Sequence, residues 1–477
     1  MADIEGAEII AYTPRSPQNW KQKLAFHVKR AIGYEHFGVY RSFGANSFWD
    51  ASATPKQQSR ARGLCEKISR ELYSVDDIDA MTIDGVKVGD LIYDTYLRRN
   101  SVPTIDPRSE SFRDHLQESL ELFVAWNDYL DSHDVRAINV SHCVYNLALP
   151  LRIAVRRGIP VYQINPTHLY RLSERNMFAY NDFHYFPERF ASMPKDLQEA
   201  GVTEAQRRIE RRLSGEVGVD MAYSSKSAYG RMGESRLLSE SPRKKILIAT
   251  HCFFDSPHSY GNNLFPDFYT WLDFLGKMTE CTDYDWYIKT HPDYLPGTME
   301  IVKGFIARYP KLTLLPSDAS HHQIVSEGID LALTVYGTIG FEYAAMGIPV
   351  INASMNNPHV AYDFNIHPKS IDEYREILLS LDNLSFKIDR RQVYEYYFMR
   401  FIYNTENIFF DDYAGMVKKL NGYRGQFSPE VYDLWCREFS FEKHEAICSA
   451  LRKFVRSGDF RMDNTHLGHA NFRRNTS

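Results

Sequence analysis

From Lys244 onward, short runs rich in β-branched and aromatic residues alternate with longer stretches whose apolar positions recur at helical spacing. The runs are KILIAT (245–250), WYIKT (286–290), LTLLP (312–316), LALTVY (331–336) and PVINA (349–353). Between them lie DFYTWLDFLGKMTE, TMEIVKGFIARY, SHHQIVSEG and TIGFEYAAMG. Strands that are apolar throughout, rather than at every second position, belong to a parallel sheet buried on both faces, with the helices as cover. The pattern predicts a Rossmann-like domain over 244–385.

The first half repeats this alternation less cleanly. Strands are expected at EIIAYT (8–13), VRAINVS (135–141) and IPVYQIN (159–165), and helices over 55–73, 88–98 and 109–130. A further helix, YNLALPLRIAVRRG (145–158), closes on a glycine able to take the left-handed conformation of a helix end. A second Rossmann-like domain is expected over 1–195. Residues 196–243 are charged and lose β character (TEAQRRIERRLSGE, ESRLLSESPRKK), which reads as a linker region. Residues 386–477 form an aromatic helical segment (RRQVYEYYFMRFIYN) and a polar tail expected to fray. The expected fold class is α/β, with two Rossmann-like domains facing a cleft and a C-terminal helical segment.

Length and charge narrow the function. The chain has 477 residues, enough for two or three domains. With 56 Lys and Arg against 61 Asp and Glu, its net charge of −5 argues against a nucleic-acid partner, which would require a basic domain. Mean hydropathy is −0.42 and no apolar run approaches ~18 residues, so no membrane span is expected. The opening MADIEGAEIIAY lacks the basic, apolar, small-residue order of a signal peptide. Six scattered cysteines without a CxxC read as reduced thiols of a cytoplasmic protein. Aromatic residues make up 14% of the chain, which suits sugar-stacking surfaces and plain packing alike.

In open α/β sheets, ligands bind beyond the carboxyl ends of the strands. Those positions carry His251, Asp255 and His258 after the first strand of the second half, and Lys289-Thr290-His291-Pro292 after the next. Further on come His321-His322 and then Tyr336-Gly337-Thr338, with Glu342 in the following helix. Gly337-Thr338 opens a helix whose free N–H groups favour a phosphate, and Glu342 is placed to accept two hydroxyls of a ribose. Lys289 beside His291 suits a phosphodiester that must be neutralised as it leaves, His291 donating a proton. Asp255, flanked by His251 and His258, suits a general base or nucleophile, and the alternative is an Asx-turn through Ser256-Pro257. No second carboxylate accompanies these histidines, so no metal site is expected, and nothing matches GxGxxG or a Walker loop. Two DxD strings, Asp77-Ile78-Asp79 and Asp283-Tyr284-Asp285, read as turn residues. In the first half, Ser141-His142 and Tyr145 follow a strand. Asp94 and Arg98 share a helix face at i, i+4, either as a surface ion pair or facing an anionic acceptor. His168 and Arg171 are weaker candidates of the same kind.

KTHPD followed by YGTIGFEYAAMGIPVI resembles the C-terminal domain of GT-B glycosyltransferases that build bacterial capsules and lipopolysaccharides, the capsule-synthesis proteins that include Kdo transferases above all. SHCVYNLALPLRIAVRRGIPVY resembles N-terminal segments of such enzymes, and the HP motif resembles that of GT-B sialyltransferases and teichoic-acid polymerases. The likeness covers about 135–165 and 244–355. It implies a nucleotide-sugar-dependent glycosyltransferase without a cofactor, adding a sugar to a glycan or lipid-linked glycan acceptor. A Kdo-like ulosonic acid carried by CMP is the favoured donor. The likeness puts Lys289, His291 and Pro292 at the donor phosphates, Thr338 and Glu342 at the nucleotide and Asp255 in catalysis. The strand-end reading adds His251 beside Asp255 and His291 in catalysis, His258, Tyr336 and Gly337 on the donor side, and Asp94, Arg98, His142 and Tyr145 on the acceptor side in 1–195. Gly337-Thr338 stands where sialyltransferases have paired serines, which leaves UDP or another nucleotide open. The resemblance implies a cytoplasmic protein that can lie at the inner face of the plasma membrane beside an assembly complex. A CDP-polyol phosphotransferase of teichoic-acid type and a non-catalytic glycan-binding or assembly subunit remain alternatives in the same architecture.

Overall fold

The computed structural model describes residues 1–12, 20–34, 36–140, 142–178, 181–221, 226–291, 294, 296–403, 405–410, 413–420, 429–438 and 440–468. Two short pairings lie in the first hundred residues: β1 (Ile10–Tyr12) with β2 (Ser47–Trp49), parallel, and β3 (Thr82–Ile83) with β4 (Val86–Lys87), antiparallel. The N-terminal sheet then uses β5 (Ile138–Val140), β6 (Val161–Ile164) and β7 (His168–Leu172). β5 and β6 are parallel and joined by the helix Leu149–Arg156, which is one βαβ unit. β7 turns back antiparallel on β6, so this sheet is mixed.

Its core is mainly helical cover. Helix Pro55–Ser69 starts on a capping box between Thr54 and Gln57, with proline at its first position. Ser109 caps the helix Glu110–Ser132, whose Phe112, Leu116, Leu120 and Phe123 recur at helical spacing and are all buried. Helix Gly89–Asn100 packs in the same core and brings Asp94 inward.

The second half is the more regular. β8 (Lys245–Ala249), β9 (Asp285–Lys289), β10 (Leu312–Leu314), β11 (Leu331–Thr334) and β12 (Val350–Asn352) form one parallel sheet in the order β10-β9-β8-β11-β12. Four of the five β8 residues and all of β11 and β12 are buried, as a sheet covered on both faces requires. The order reverses between β8 and β11, and that switch point is where a ligand is expected.

The stretch read as a charged linker is instead part of the packing. Helix Lys195–Leu213 buries Gln198, Gly201, Ala205 and Ile209. A Cβ on Gly201 would meet the Phe398 ring at 2.7 Å, so only glycine allows this approach. Its partners are the helix Arg390–Tyr397 and the π-helical turn Phe398–Ile402, both from the aromatic C-terminal segment. The chain then returns to its first half: helix Phe441–Ser457 packs there, and β13 (Arg461–Asp463) pairs antiparallel with β7. Among the described residues no helix is long and apolar enough to cross a membrane.

Candidate active site

A cavity of about 480 Å³ opens at the carboxyl edge of the C-terminal sheet, at the β8/β11 switch point. Three strand ends build its floor: Thr250 and His251 after β8, Lys289, Thr290 and His291 at the end of β9, and Thr334 with Gly337 and Thr338 after β11. Helix Ile339–Met346 begins at Thr338 and adds Glu342. Arg212, Lys226 and Tyr229, from the charged region before β8, form the opposite wall.

Lys289 is buried, and its ammonium donates to the carbonyls of Ser317 (2.9 Å) and Thr290 (3.4 Å). Burial lowers its pKa to about 8, although Asp318 and Glu342 oppose the shift. In the lining of the same cavity, the hydroxyls of Thr290 and Thr298 are buried and have no partner among the described residues. Buried hydroxyls in native structures are nearly always bonded, so this orphaned pair sets the cavity wall apart from an ordinary strand end. His291 is exposed at the rim.

His251 is neutral and tautomerically fixed. The amide of Val335 donates to its Nε2 (3.2 Å), and Thr334 Oγ1 lies 2.9 Å from the same nitrogen. Its ring stacks on Phe268 with centroids 4.6 Å apart. Burial lowers its pKa to about 3, and His291 adds to the shift. An Nε2 that accepts leaves the proton on Nδ1, so this imidazole can donate to an anion and cannot act as an acid of ordinary strength.

Glu342 differs from its expected role. It is 5% exposed and its carboxylate is engaged: Arg212 Nε donates to Oε1 (2.7 Å), Nη2 lies 2.6 Å from the same oxygen as an ion pair, and the Tyr229 hydroxyl donates to Oε2 (2.8 Å). It is not a helix-surface carboxylate. A residue 130 positions away in sequence neutralises it inside the wall.

The other proposed site residues gather elsewhere. Asp255 does not line the cavity; its half-exposed carboxylate accepts from the Tyr145 hydroxyl and lies 3.9 Å from Arg98. Since Tyr145 follows β5 and Asp255 follows β8, the carboxyl edges of the two sheets face each other here. Tyr145 has φ 60° and ψ −178°, a region that bulky residues rarely occupy. His142 is exposed, and Ser141 and Pro292 lie outside the described residues.

His258 and Asp94 are corrections. Both are buried, and His258 Nδ1 sits 2.6 Å from Asp94 Oδ1. His258 therefore does not reach the donor cavity, and Asp94 neither pairs with Arg98 nor faces an acceptor. Burial would lower the His258 pKa, but Asp94, Asp79 and Asp90 outweigh it and raise it to about 9. Asp90 in turn pairs with the fully buried Arg152 at 2.8 Å. The Tyr336 hydroxyl donates to the Ser256 carbonyl (3.2 Å) and its ring packs on His251, so it supports the loops from behind. Arg171 donates to the carbonyls of Phe454 and Val455 and so caps the helix Phe441–Ser457, while His168 sits in β7 with its pKa lowered to about 3 by burial. Asp77 caps helix Val75–Asp79 through Ser74, and Asp285 accepts from Ser239 and Ser241, which leaves both DxD strings as turn chemistry.

Sequence reasoning missed Arg212, Lys226, Tyr229 and Thr298. Ala205 and Ile209, spaced i, i+4 within the charged run, were the available sign that it forms a packed helix rather than a linker.

No protein-family model and no curated protein matches the chain. Among solved structures it is similar to KpsC, a β-Kdo 2,4 transferase of Thermosulfurimonas dismutans (12% identity, 56% of this chain and 91% of that one, TM-score 0.33). It is also similar to the same organism's KpsC β-Kdo 2,7 transferase (14%, 57% and 79%, 0.34). A third is the UDP-GlcNAc 2-epimerase of Methanocaldococcus jannaschii in complex with UDP-GlcNAc and UDP (12%, 58% and 79%, 0.25). Scores this low decide nothing about substrate. The GT-B-like arrangement is seen in the molecule itself: two α/β units whose sheets meet carboxyl edge to carboxyl edge, with the cavity in the second.

Proposed function

We propose that the protein is a glycosyltransferase that binds a nucleotide sugar in the β8–β9–β11 cavity and transfers the sugar to a glycan acceptor at the seam between the halves. The observation that carries this reading is one cavity lined by the buried Lys289, the orphaned hydroxyls of Thr290 and Thr298, and the start of the helix Ile339–Met346. A donor phosphate would satisfy all of them, with His251 Nδ1–H as a further donor. In transfer, the bond from the anomeric carbon to the phosphate oxygen breaks and the acceptor oxygen bonds to that carbon. The acceptor proton passes to Asp255, and the nucleotide leaves with its charge met by Lys289 and the helix. The resemblance of KTHPD and YGTIGFEYAAMGIPVI favours a Kdo-like ulosonic acid from CMP, added to a capsule or lipopolysaccharide glycan.

The test is a thermal-shift and calorimetric screen of CMP, CDP, UDP and their sugars. A nucleotide at 100 times its Kd adds about 2.7 kcal/mol of stability. The stabilisation should vanish in Lys289→Met. Absence of any nucleotide binding, or binding indifferent to that substitution, would overturn the reading. Release of CMP together with a phosphodiester product would identify phosphotransfer instead.

A further inference from the structure

The helix Trp20–Ile32 carries its apolar residues on the wrong side for a core. Trp20, Leu24, Val28 and Ile32, each four residues from the next, are 69, 57, 49 and 69% exposed. Four-residue spacing keeps them on one slowly turning stripe. The helix is held from the opposite side: Phe26 packs edge-on to the buried Phe37 (centroids 5.2 Å apart), and the Arg30 guanidinium lies 5.6 Å above the Phe48 ring. Arg41 ties the next helix back through the Arg30 carbonyl at 2.6 Å. Tyr34 and Val39, both exposed, continue the apolar surface past the helix end.

Charge says what covers it. Residues 20–43 contain five Lys and Arg against one Glu, in a chain whose net charge is −5. The ammonium of Lys21 sits 5.8 Å from the Trp20 ring and that of Lys29 5.2 Å from Tyr34, so cations rim the apolar stripe itself. An apolar stripe of Trp, Leu, Val and Ile bordered by basic side chains has the chemistry of a helix lying in the headgroup region of an anionic bilayer. A protein partner with an acidic groove, or a second copy, would need a complementary acidic or apolar surface. A second copy presents the same basic rim and would repel.

We propose that the helix Trp20–Ile32 docks the protein on an anionic lipid surface, with Trp20, Leu24, Val28 and Ile32 entering the headgroup layer and Lys21 on the lipid phosphates. Docking is read without nucleotide, so it stands or falls independently of the donor assignment.

The experiment is co-sedimentation of the full chain with vesicles of phosphatidylcholine alone and of phosphatidylcholine with phosphatidylglycerol. Binding is expected only to the second kind, weakening as salt rises. Lys21→Gln should weaken it about 5-fold. The triple variant Trp20→Ser/Leu24→Ser/Ile32→Ser should lose it by at least about 10-fold, because the apolar insertion is gone. These side chains are exposed, so the variant should keep the wild-type thermal midpoint. Equal binding to neutral vesicles, no binding to either, or undiminished binding by the folded triple variant would overturn the proposal. So would a dimer in light scattering that the triple variant dissociates while vesicle binding is absent, since a second copy would then cover the stripe.

Discussion

The cavity on the C-terminal sheet and the seam where the halves meet hold the same residue types, histidine and carboxylate above all, and differ in how far a ligand can reach them. In the cavity, Thr290 and Thr298 have buried hydroxyls without partners among the described residues, and Lys289 donates to two backbone carbonyls. At the seam, buried charges answer one another, His258 Nδ1 with Asp94 and Asp90 Oδ2 with Arg152, while His258 Nε2, Asp90 Oδ1 and Arg152 Nε have no hydrogen-bond partner among the described residues. Asp255 is the exception, half-exposed beside Tyr145 and Arg98. What separates the two is access: the orphaned hydroxyls line a cavity that a ligand can enter, whereas the orphaned seam atoms belong to buried groups already paired by charge.

The sharpest way to break this contrast is to remove a seam partner. Asp94→Ala should lower stability by about 3–5 kcal/mol, because it leaves His258 buried beside fewer carboxylates. Chemical denaturation reads this directly, and a loss below ~1 kcal/mol would move the pair out of the architecture. Asp255→Asn tests the exception. As the acceptor-side base it should lose about 10³-fold in transfer with nucleotide affinity unchanged. Near-wild-type transfer would leave Asp255 as a turn residue held by Tyr145.

On the cavity side the effects fall first on binding. Lys289→Met should weaken nucleotide binding about 10–100-fold, the worth of one charged hydrogen-bond donor, and keep the thermal midpoint. Glu342→Ala is expected to act on both sides of the comparison, costing about 2–3 kcal/mol of stability because Arg212 and Tyr229 lose their acceptor. Glu342→Gln, which keeps an acceptor, should cost less, and the two midpoints compared by calorimetry check it.

The smallest effects are in pH. Lys289 titrates near 8 in the empty cavity, and a phosphate would raise that value, so affinity should fall as pH rises above about 8. The seam responds with the same sign in stability. The His258 pKa of about 9 lies above its unfolded value of ~6.5, so its contribution is full below ~6.5 and is lost as pH rises through 9. Nucleotide titrations and denaturation curves between pH 6 and 10 separate the two. A flat affinity would remove Lys289 from the phosphate, and a flat stability would uncouple His258 from Asp94.

The five C-terminal strands were legible to within a residue or two, KILIAT as Lys245–Ala249 and PVINA as Val350–Asn352. So was the placement of His251, Lys289, His291, Gly337 and Thr338 around one cavity. The N-terminal sheet was less so: the antiparallel turn of β7 and its partner β13 from the far end of the chain left no local sign.

What the sequence determined is what short-range rules govern. Apolar runs and caps set strands and helices, and parallel βα order puts the residue after each strand at one edge. The tertiary structure decided which of those residues would remain open to a ligand. Asp94 lies 164 positions from His258, and Arg212 lies 130 from Glu342. Each carboxylate is spent on a partner that only folding brings near, because an ionised group leaving water must find a counter-charge or lose its charge. That demand acts through space and leaves no period in the chain.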